Sequence, residues 1–258
     1  MTITDTEIAA FIQQYILPLF RIASLFMVMP IIGSRTVTSR VRIALAILVT
    51  ILVVPMLPPL SVVKSLSLAT FLIVVQEVVI GVLIGFVFQI VFQVFVLSGQ
   101  FMAMKMGLGF ASMNDPTNGV QTTVLSQFFL MLMTLVFVSL DGHILLISLV
   151  VESFVTLPPG AWVITPGMFM QVVEMSTWLF SAALVFSLPV LTSLLFVNIA
   201  FGVMSRAAPQ LNIFAVGFPF TLVMGLVLIW VGLNNFLPAF EEVMSFGFIT
   251  TESLLRLR

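Results

Sequence analysis

Long apolar runs, bounded by charged or helix-breaking residues, dominate the sequence. A helix needs about 20 apolar residues to cross the hydrocarbon core of a bilayer. Two shorter apolar runs, 8–32 and 43–57, come before four long ones that are each sufficient for a crossing. The uncharged long runs are 78–104, 116–140, 175–205 and 207–240. This pattern predicts a helical protein of the integral-membrane type.

Glycines and prolines divide the runs into helices, and prolines within or beside the runs predict kinks. No stretch between the helices is long or polar enough to form a soluble domain. We therefore predict an all-α fold with a single domain over residues 1–258, built of about six kinked helices in hairpins. The predicted helices are 8–32, 41–57, 70–98, 121–151, 175–204 and 212–237, and the tail 241–258 is predicted to form a surface helix.

Composition narrows the class of protein further. Hydrophobic residues make up 61% of the chain and charged residues only 7%, against about 25% charged residues in soluble domains. A soluble enzyme is therefore excluded. The net charge of −1 leaves no basic surface for nucleic acid, and the absence of cysteine with a single histidine predicts no metal or cofactor site.

The sequence contains no convincing catalytic group. Asp141 and His143 are two residues apart, and residues at that spacing do not share a helix face. This favours a polar kink or loop end over a catalytic pair. No catalytic sequence motif accompanies them, so we predict that the protein is not an enzyme.

Two acidic residues, Glu77 and Asp141, interrupt apolar runs. A charge at the centre of a membrane costs about 2.5–3.5 kcal/mol, so each needs a partner, a wet cavity or a function. A proton relay and a structural ion pair, for example with Arg206 or with a neighbouring subunit, both remain open. The structural role is favoured because no string of ionisable groups is present.

Gly81 and Gly85 form a G-x-x-x-G step, which permits close approach of a partner helix; chance is the alternative. The distribution of basic residues between alternate loops predicts that both termini lie outside the cytoplasm. That rule assumes that each helix inserts into lipid independently.

The acidic start of the chain predicts that its first apolar run is retained rather than cleaved as a signal.

The segment from Met102 to Pro116 combines turn residues with apolar ones. Gly107, Gly109 and Asn114-Asp115-Pro116 favour turns, whereas Leu108, Phe110 and Met113 are too apolar for a solvated loop. Non-helical backbone at membrane depth is tolerated where protein buries it or where it lines a cavity. A gating or plugging loop and a corner packed for stability alone are both compatible with this pattern.

Three sequence blocks follow one another along the chain: Glu77–Phe86, then Met106–Ala111 followed by Asp115-Pro116, and then Arg206–Phe214. In these blocks and their order, and in length and hydropathy pattern over essentially the whole chain, the sequence resembles the FliR family of flagellar export-gate proteins. The injectisome export-gate component SctT shares the architecture and is the alternative. A six-span transporter and a scaffold whose loop never gates are further alternatives.

The resemblance implies a pore-forming subunit of the flagellar type III protein export gate. A single copy would assemble with FliP and FliQ in the inner membrane at the flagellar basal body, with much of the assembly above the membrane plane. Other export-apparatus membrane proteins, membrane lipid and exported unfolded flagellar subunits are the remaining implied partners.

The resemblance also implies that the loop at about 106–119 plugs the closed pore. Phe110 would be the chief stopper, Met106 and Met113 flexible sealants, and Gly107 and Gly109 hinges. The plug residues so implied are Met106, Gly107, Leu108, Gly109, Phe110, Met113, Asp115 and Pro116. The candidate structural or assembly residues are Glu77, Gly81, Gly85, Arg206 and Pro209.

Overall fold

The computed structural model describes residues 12–34, 37–57, 68–108, 123–160, 164–207 and 213–256. Within these residues the chain is helical and contains no strand, which confirms the all-α prediction. The α-helices are α1 (Leu17–Val28), α2 (Ser39–Val53), α3 (Leu68–Lys105), α4 (Val124–Ser139), α5 (Gly142–Thr156), α6 (Pro166–Ala207), α7 (Ile213–Gly232) and α8 (Phe236–Arg256). A π-helical turn (Ile12–Ile16) precedes α1, and 3₁₀ turns follow α2 (Val54–Met56) and join α7 to α8 (Leu233–Asn235).

Several of these helices are long and apolar enough to cross a membrane. In the described part of the chain four stretches qualify, and α4 with α5 forms a fifth if that bent pair is one span. Helix α1 is apolar but falls short of this length. The four stretches are Ser39–Met56, Leu68–Lys105, Pro166–Ala207 and Gly217–Leu255.

The single helix predicted over 121–151 is wrong, because α4 and α5 are separate helices that meet at 68°. Asp141 lies at the bend with a φ of 56°, in the left-handed region that Asp tolerates better than most residues. Its carbonyl oxygen accepts hydrogen bonds from the N–H groups of Ile144 and Leu145, which starts α5. The Asp141-Gly142 pair is thus a turn inside an apolar run, and Asp141 is exposed rather than facing a helix-bundle interior.

Two other helices are longer than predicted. Helix α3 continues to Lys105 instead of ending at Ser98, and α6 begins at Pro166 instead of 175. Gly99 lies inside α3, where a Cβ would approach the Ser126 backbone to 2.8 Å, so the absence of a side chain at this position permits close packing.

The chain divides into two compact units. Unit 1 contains Met1–Ile90, Phe137–Met175 and Phe246–Arg258, and unit 2 contains Val91–Val136 and Ser176–Ser245. Helices α3, α4, α6 and α8 each contribute residues to both units. Within unit 1, α1 packs against α2, and the rings of Phe88 and Phe248 meet edge to face at 5.0 Å.

The interior of unit 2 contains a cluster of four phenylalanines from four helices. We call Phe95, Phe129, Phe186 and Phe236 the phenylalanine cluster. Its centroid distances range from 5.1 Å between Phe95 and Phe236 to 6.3 Å between Phe129 and Phe236. These separations are typical of favourable aromatic pairs.

Candidate functional site

A buried ion pair joins α1 to α3 in unit 1. Arg21 Nε donates to Glu77 Oε2 at 2.7 Å, and Arg21 Nη2 donates to Glu77 Oε1 at 2.9 Å. Both side chains have no exposed surface. The two parallel bonds form the bidentate arrangement in which arginine binds a carboxylate most strongly.

The remaining donors of Arg21 bind the end of α5. Nη1 donates to the carbonyl oxygen of Ser153 at 2.8 Å and to its Oγ at 2.9 Å, while Nη2 also donates to the carbonyl oxygen of Leu157 at 2.8 Å. The guanidinium carbon also lies 4.1 Å from the centre of the Phe154 ring. We call Arg21, Glu77, Ser153, Phe154 and Leu157 the arginine network.

The arginine network satisfies the whole guanidinium group. Arginine has five N–H donors, and each hydrogen bond above can use a different one. Carbonyl groups at a helix C-terminus lack intrahelical partners and carry partial negative charge, so they suit a cation. The network therefore makes a charge tolerable in an apolar interior and ties three helices together at one point.

A close helix crossing lies beside the arginine network. A Cβ at Gly81 would clash with Arg21 O and Ser24 Oγ, and one at Gly85 would lie 3.0 Å from Val28 Cβ. Both glycines of the G-x-x-x-G step thus face α1. Their lack of a side chain allows α1 and α3 to approach closely enough for Arg21 to reach Glu77.

Arg206, which was considered as one example of a partner for Glu77, does not pair with it in the structure. Arg206 is exposed and makes no ion pair with any residue that the structure describes, whereas Arg21 pairs with Glu77. Asp141 and His143 lie at the start of α5, and the buried Nδ1 of His143 has no hydrogen-bond partner in the described part of the chain. Within that part, no cluster of three or more potential metal-binding side chains occurs.

Arg21 is the functional candidate that the sequence analysis missed. A signal for it existed, since Arg21 interrupts the first apolar run as Glu77 interrupts the third. The rule that a charge in an apolar run needs a partner applies to both residues.

In unit 2, α3 ends in a Schellman motif at the start of the predicted plug loop. The N–H of Leu108 donates to Ala103 O at 2.9 Å, and the N–H of Gly107 donates to Met104 O at 3.2 Å. Gly107 has a φ of 82°, which glycine adopts without steric cost.

The first loop residues pack against α7. A Cβ at Gly107 would lie 2.6 Å from the ring of Phe218, so no larger residue fits there without displacing that ring. The fully buried side chain of Met106 fills the space that a side chain at Gly225 would need, with Cγ 2.6 Å from a Cβ placed there. We call Met106, Gly107, Phe218 and Gly225 the loop base.

The other predicted loop residues lie outside the described part of the chain, so their roles remain predictions. The same is true of Pro209. These residues are Gly109, Phe110, Met113, Asp115 and Pro116.

Comparison with known proteins identifies the family. Residues 12–246 match the family described as bacterial export proteins, family 1. The chain is 36% identical over 242 residues to the flagellar biosynthetic protein FliR of Pectobacterium carotovorum subsp. carotovorum, covering 94% of this chain and 92% of the relative. The chain belongs to the FliR family of bacterial export proteins. This confirms the resemblance carried by the three sequence blocks.

Other members of the FliR family match over nearly their full length. The FliR of Escherichia coli (strain K12) is 34% identical over 245 residues, which are 95% of this chain and 94% of that protein. The FliR of Bacillus subtilis (strain 168) is 26% identical over 249 residues, or 94% and 95% of the two chains. Family membership and the apolar helices together make this chain an inner-membrane component of the flagellar export apparatus.

Proposed function

We propose that this FliR-family protein is a structural, pore-forming subunit of the flagellar type III protein export gate at the basal body. A single copy assembles with FliP and FliQ and conducts unfolded flagellar proteins across the inner membrane. The protein forms part of a passive conduit and catalyses no reaction. The loop at about 106–119 plugs the conduit when it is closed.

The exposed apolar surface of α6 is the observation that carries the assembly proposal. Large apolar side chains are exposed along this helix from Phe169 to Val203, which is about 50 Å at 1.5 Å per residue. The hydrocarbon core of a bilayer is about 30 Å thick and covers about 40 Å of a helix tilted by 40°, the upper end of the usual range. Part of this surface therefore needs protein to cover it, as neighbouring gate subunits would.

The composition of the loop supports the plug. Leu108, Phe110 and Met113 stand between turn-forming residues, and methionine is flexible enough for a seal that opens and re-forms. Burying one Phe side chain contributes about 1.5–3 kcal/mol, which an entering substrate can offset by its own contacts. We assign the stopper to Phe110, the sealing contacts to Met113 and Met106, and the hinges to Gly107 and Gly109, with Asp115-Pro116 forming the turn.

Co-purification tests the assembly. Affinity-tagged full-length protein, extracted from membranes with mild detergent, should carry FliP and FliQ with it at fixed stoichiometry. Recovery of the tagged chain alone, in a functional state after reconstitution into liposomes, would instead indicate an autonomous transporter.

Ion conductance tests the plug. Deleting residues 107–114 should leave the complex with FliP and FliQ intact and should raise its conductance to small ions at rest. A deletion variant that assembles and leaks no more than the unaltered gate would show that the loop is a structural corner.

A further inference from the structure

The loop base in unit 2 has a geometry that a solvated loop would not need. Met106 is fully buried, although it is the first residue beyond α3. Its Cγ, Sδ and Cε atoms all lie within 2.8 Å of the position that a Cβ on Gly225 would occupy. The side chain therefore fits into a hole in α7 that exists because residue 225 is glycine.

A second contact, between Phe218 and Gly107, holds the residue that follows Met106. The Phe218 ring covers Gly107, and the hydroxyl of Thr221 donates to the carbonyl oxygen of Phe218 at 3.0 Å. Phe218 and Gly225 are seven residues apart, which places them two turns apart on the same face of α7. Two consecutive residues of the chain are thus held at two points on one helix face.

The Schellman motif contributes a third constraint. Its two backbone hydrogen bonds leave the chain direction after Lys105 little freedom, and Gly107 adopts the required positive φ. Side-chain packing at Met106 and Gly107 and backbone hydrogen bonds at Gly107 and Leu108 therefore act on three consecutive residues.

We propose that Phe218 and Gly225 are positioning residues for the gate, and that the loop base is its fixed part. In this proposal Met106 and Gly107 stay on α7 in both the closed and the open gate. The proposal rests on the proposed plugging function of the loop. It refines the roles of two residues. Met106 anchors the loop in addition to sealing it, and Gly107 belongs to the fixed base, which leaves the hinge role to Gly109.

Disulfide crosslinking tests the fixed base directly, because the chain contains no cysteine and gives no background. A Cβ at residue 225 lies 2.6 Å from Met106 Cγ, one bond of about 1.5 Å from Met106 Cβ, so the two Cβ atoms are at most about 4 Å apart. This upper bound does not exceed the 3.5–4.5 Å Cβ–Cβ range of disulfides, so the two side chains are close enough to be bridged. The variant M106C/G225C should therefore crosslink in the assembled gate, detected by loss of thiol labelling with a polyethylene-glycol maleimide.

The matched control is M106C/G232C. Residue 232 lies on the same helix, about 10 Å further along, and nothing lies within 4 Å of a Cβ placed there. This control should remain fully labelled. Equal labelling of both double variants would overturn the fixed base, since it would mean that Met106 does not rest on Gly225.

Export by the crosslinked gate tests whether the base stays fixed during opening. Secretion of flagellar subunits by oxidised M106C/G225C should equal that of the reduced form. A block that a reductant relieves would overturn the proposal, because it would show that Met106 must leave α7 for the gate to open.

Filling the hole tests the positioning role. Gly225→Leu should displace Met106 and raise the resting ion conductance severalfold, whereas Gly232→Leu should leave it unchanged. Gly225→Ala, which adds a single methyl group, serves where the larger side chain prevents assembly, and should give a smaller increase. Unchanged conductance in an assembled Gly225 variant contradicts the positioning role, while unchanged conductance after deletion of 107–114 contradicts the plug itself.

Discussion

The two units of this protein stabilise similar apolar helices by different means. In unit 1 the arginine network joins α1, α3 and α5 through directional hydrogen bonds to a fully buried charge. In unit 2 the phenylalanine cluster joins α3, α4, α6 and α8 through ring contacts without any charge. A network of the first kind is intact or broken, whereas ring packing weakens gradually as its shape changes.

This difference affects how the protein reaches its folded structure. A buried arginine is tolerated only when every donor has found a partner, so unit 1 favours one register of three helices. The phenylalanine cluster, in contrast, is stabilised by ring contacts over a range of geometries. We expect substitutions in the two units to differ accordingly, and the predictions below run from the largest expected effect to the smallest.

Removing the carboxylate alone should produce the largest loss of stability. Glu77→Leu leaves the Arg21 charge buried without its counter-ion, which costs about 3–5 kcal/mol. The measurement is the free energy of unfolding of purified protein in mixed micelles titrated with dodecyl sulfate. Glu241→Leu, at an exposed position of α8, is the control and should change it little. A loss below about 1 kcal/mol for Glu77→Leu would mean that water or a partner neutralises Arg21.

Removing both charges of the Arg21–Glu77 pair should lower the free energy of unfolding by less than removing the Glu77 carboxylate alone. In Arg21→Met/Glu77→Leu no charge remains buried, and apolar replacements of a buried ion pair are often tolerated. The carbonyl oxygens of Ser153 and Leu157 lose the donors of Arg21, so a residual cost of about 1–3 kcal/mol is expected. The same titration, arranged as a double-mutant cycle with both single variants, gives the coupling energy. Additive costs would contradict the network.

The stability of the protein should also be sensitive to added side-chain volume where α1 crosses α3 beside the arginine network. Gly81→Ala forces a methyl group against the carbonyl oxygen of Arg21, a backbone atom that cannot move independently, and overpacking of this kind costs about 1–3 kcal/mol. Gly202→Ala is the matched control in α6, because nothing lies within 4 Å of a Cβ there. The free energy of unfolding, measured for both variants in parallel, should be clearly lower for Gly81→Ala than for Gly202→Ala. Equal values would contradict the close crossing of α1 on α3.

The sequence predicted the helical, membrane-type fold from the apolar runs, and the three sequence blocks predicted the family. It did not place the bend between α4 and α5, although Asp141-Gly142 is a turn signal, because the apolar residues on both sides were assigned to one helix. Glu77 was recognised as needing a partner, but its partner was not found. Arg21 lies 56 residues away, and the register of α1 on α3 depends on contacts of Gly81 and Gly85 that only packing determines.

The same limit applies to the loop base. Gly107 was predicted as a turn residue, and the structure agrees. The sequence contains no local signal that Phe218 and Gly225 meet that turn, since both belong to a distant apolar helix and glycine is common in such helices. When two uncharged residues contact each other but lie far apart in the sequence, the local composition around each residue does not predict the contact.

The smallest effect should come from altering the phenylalanine cluster without emptying it. Phe129→Leu keeps an apolar side chain and removes the edge-to-face contact with Phe186 at 5.7 Å and the stacked contact with Phe236 at 6.3 Å. Aromatic pairs contribute about 0.5–1.5 kcal/mol beyond area burial, so a loss of about 1–2 kcal/mol is expected in the unfolding titration. Phe180→Leu, at an exposed position of α6, controls for the loss of a ring. If Phe129→Leu cost as much as Glu77→Leu, ring packing in unit 2 would be as selective for one geometry as the arginine network, and the contrast between the two units would fail.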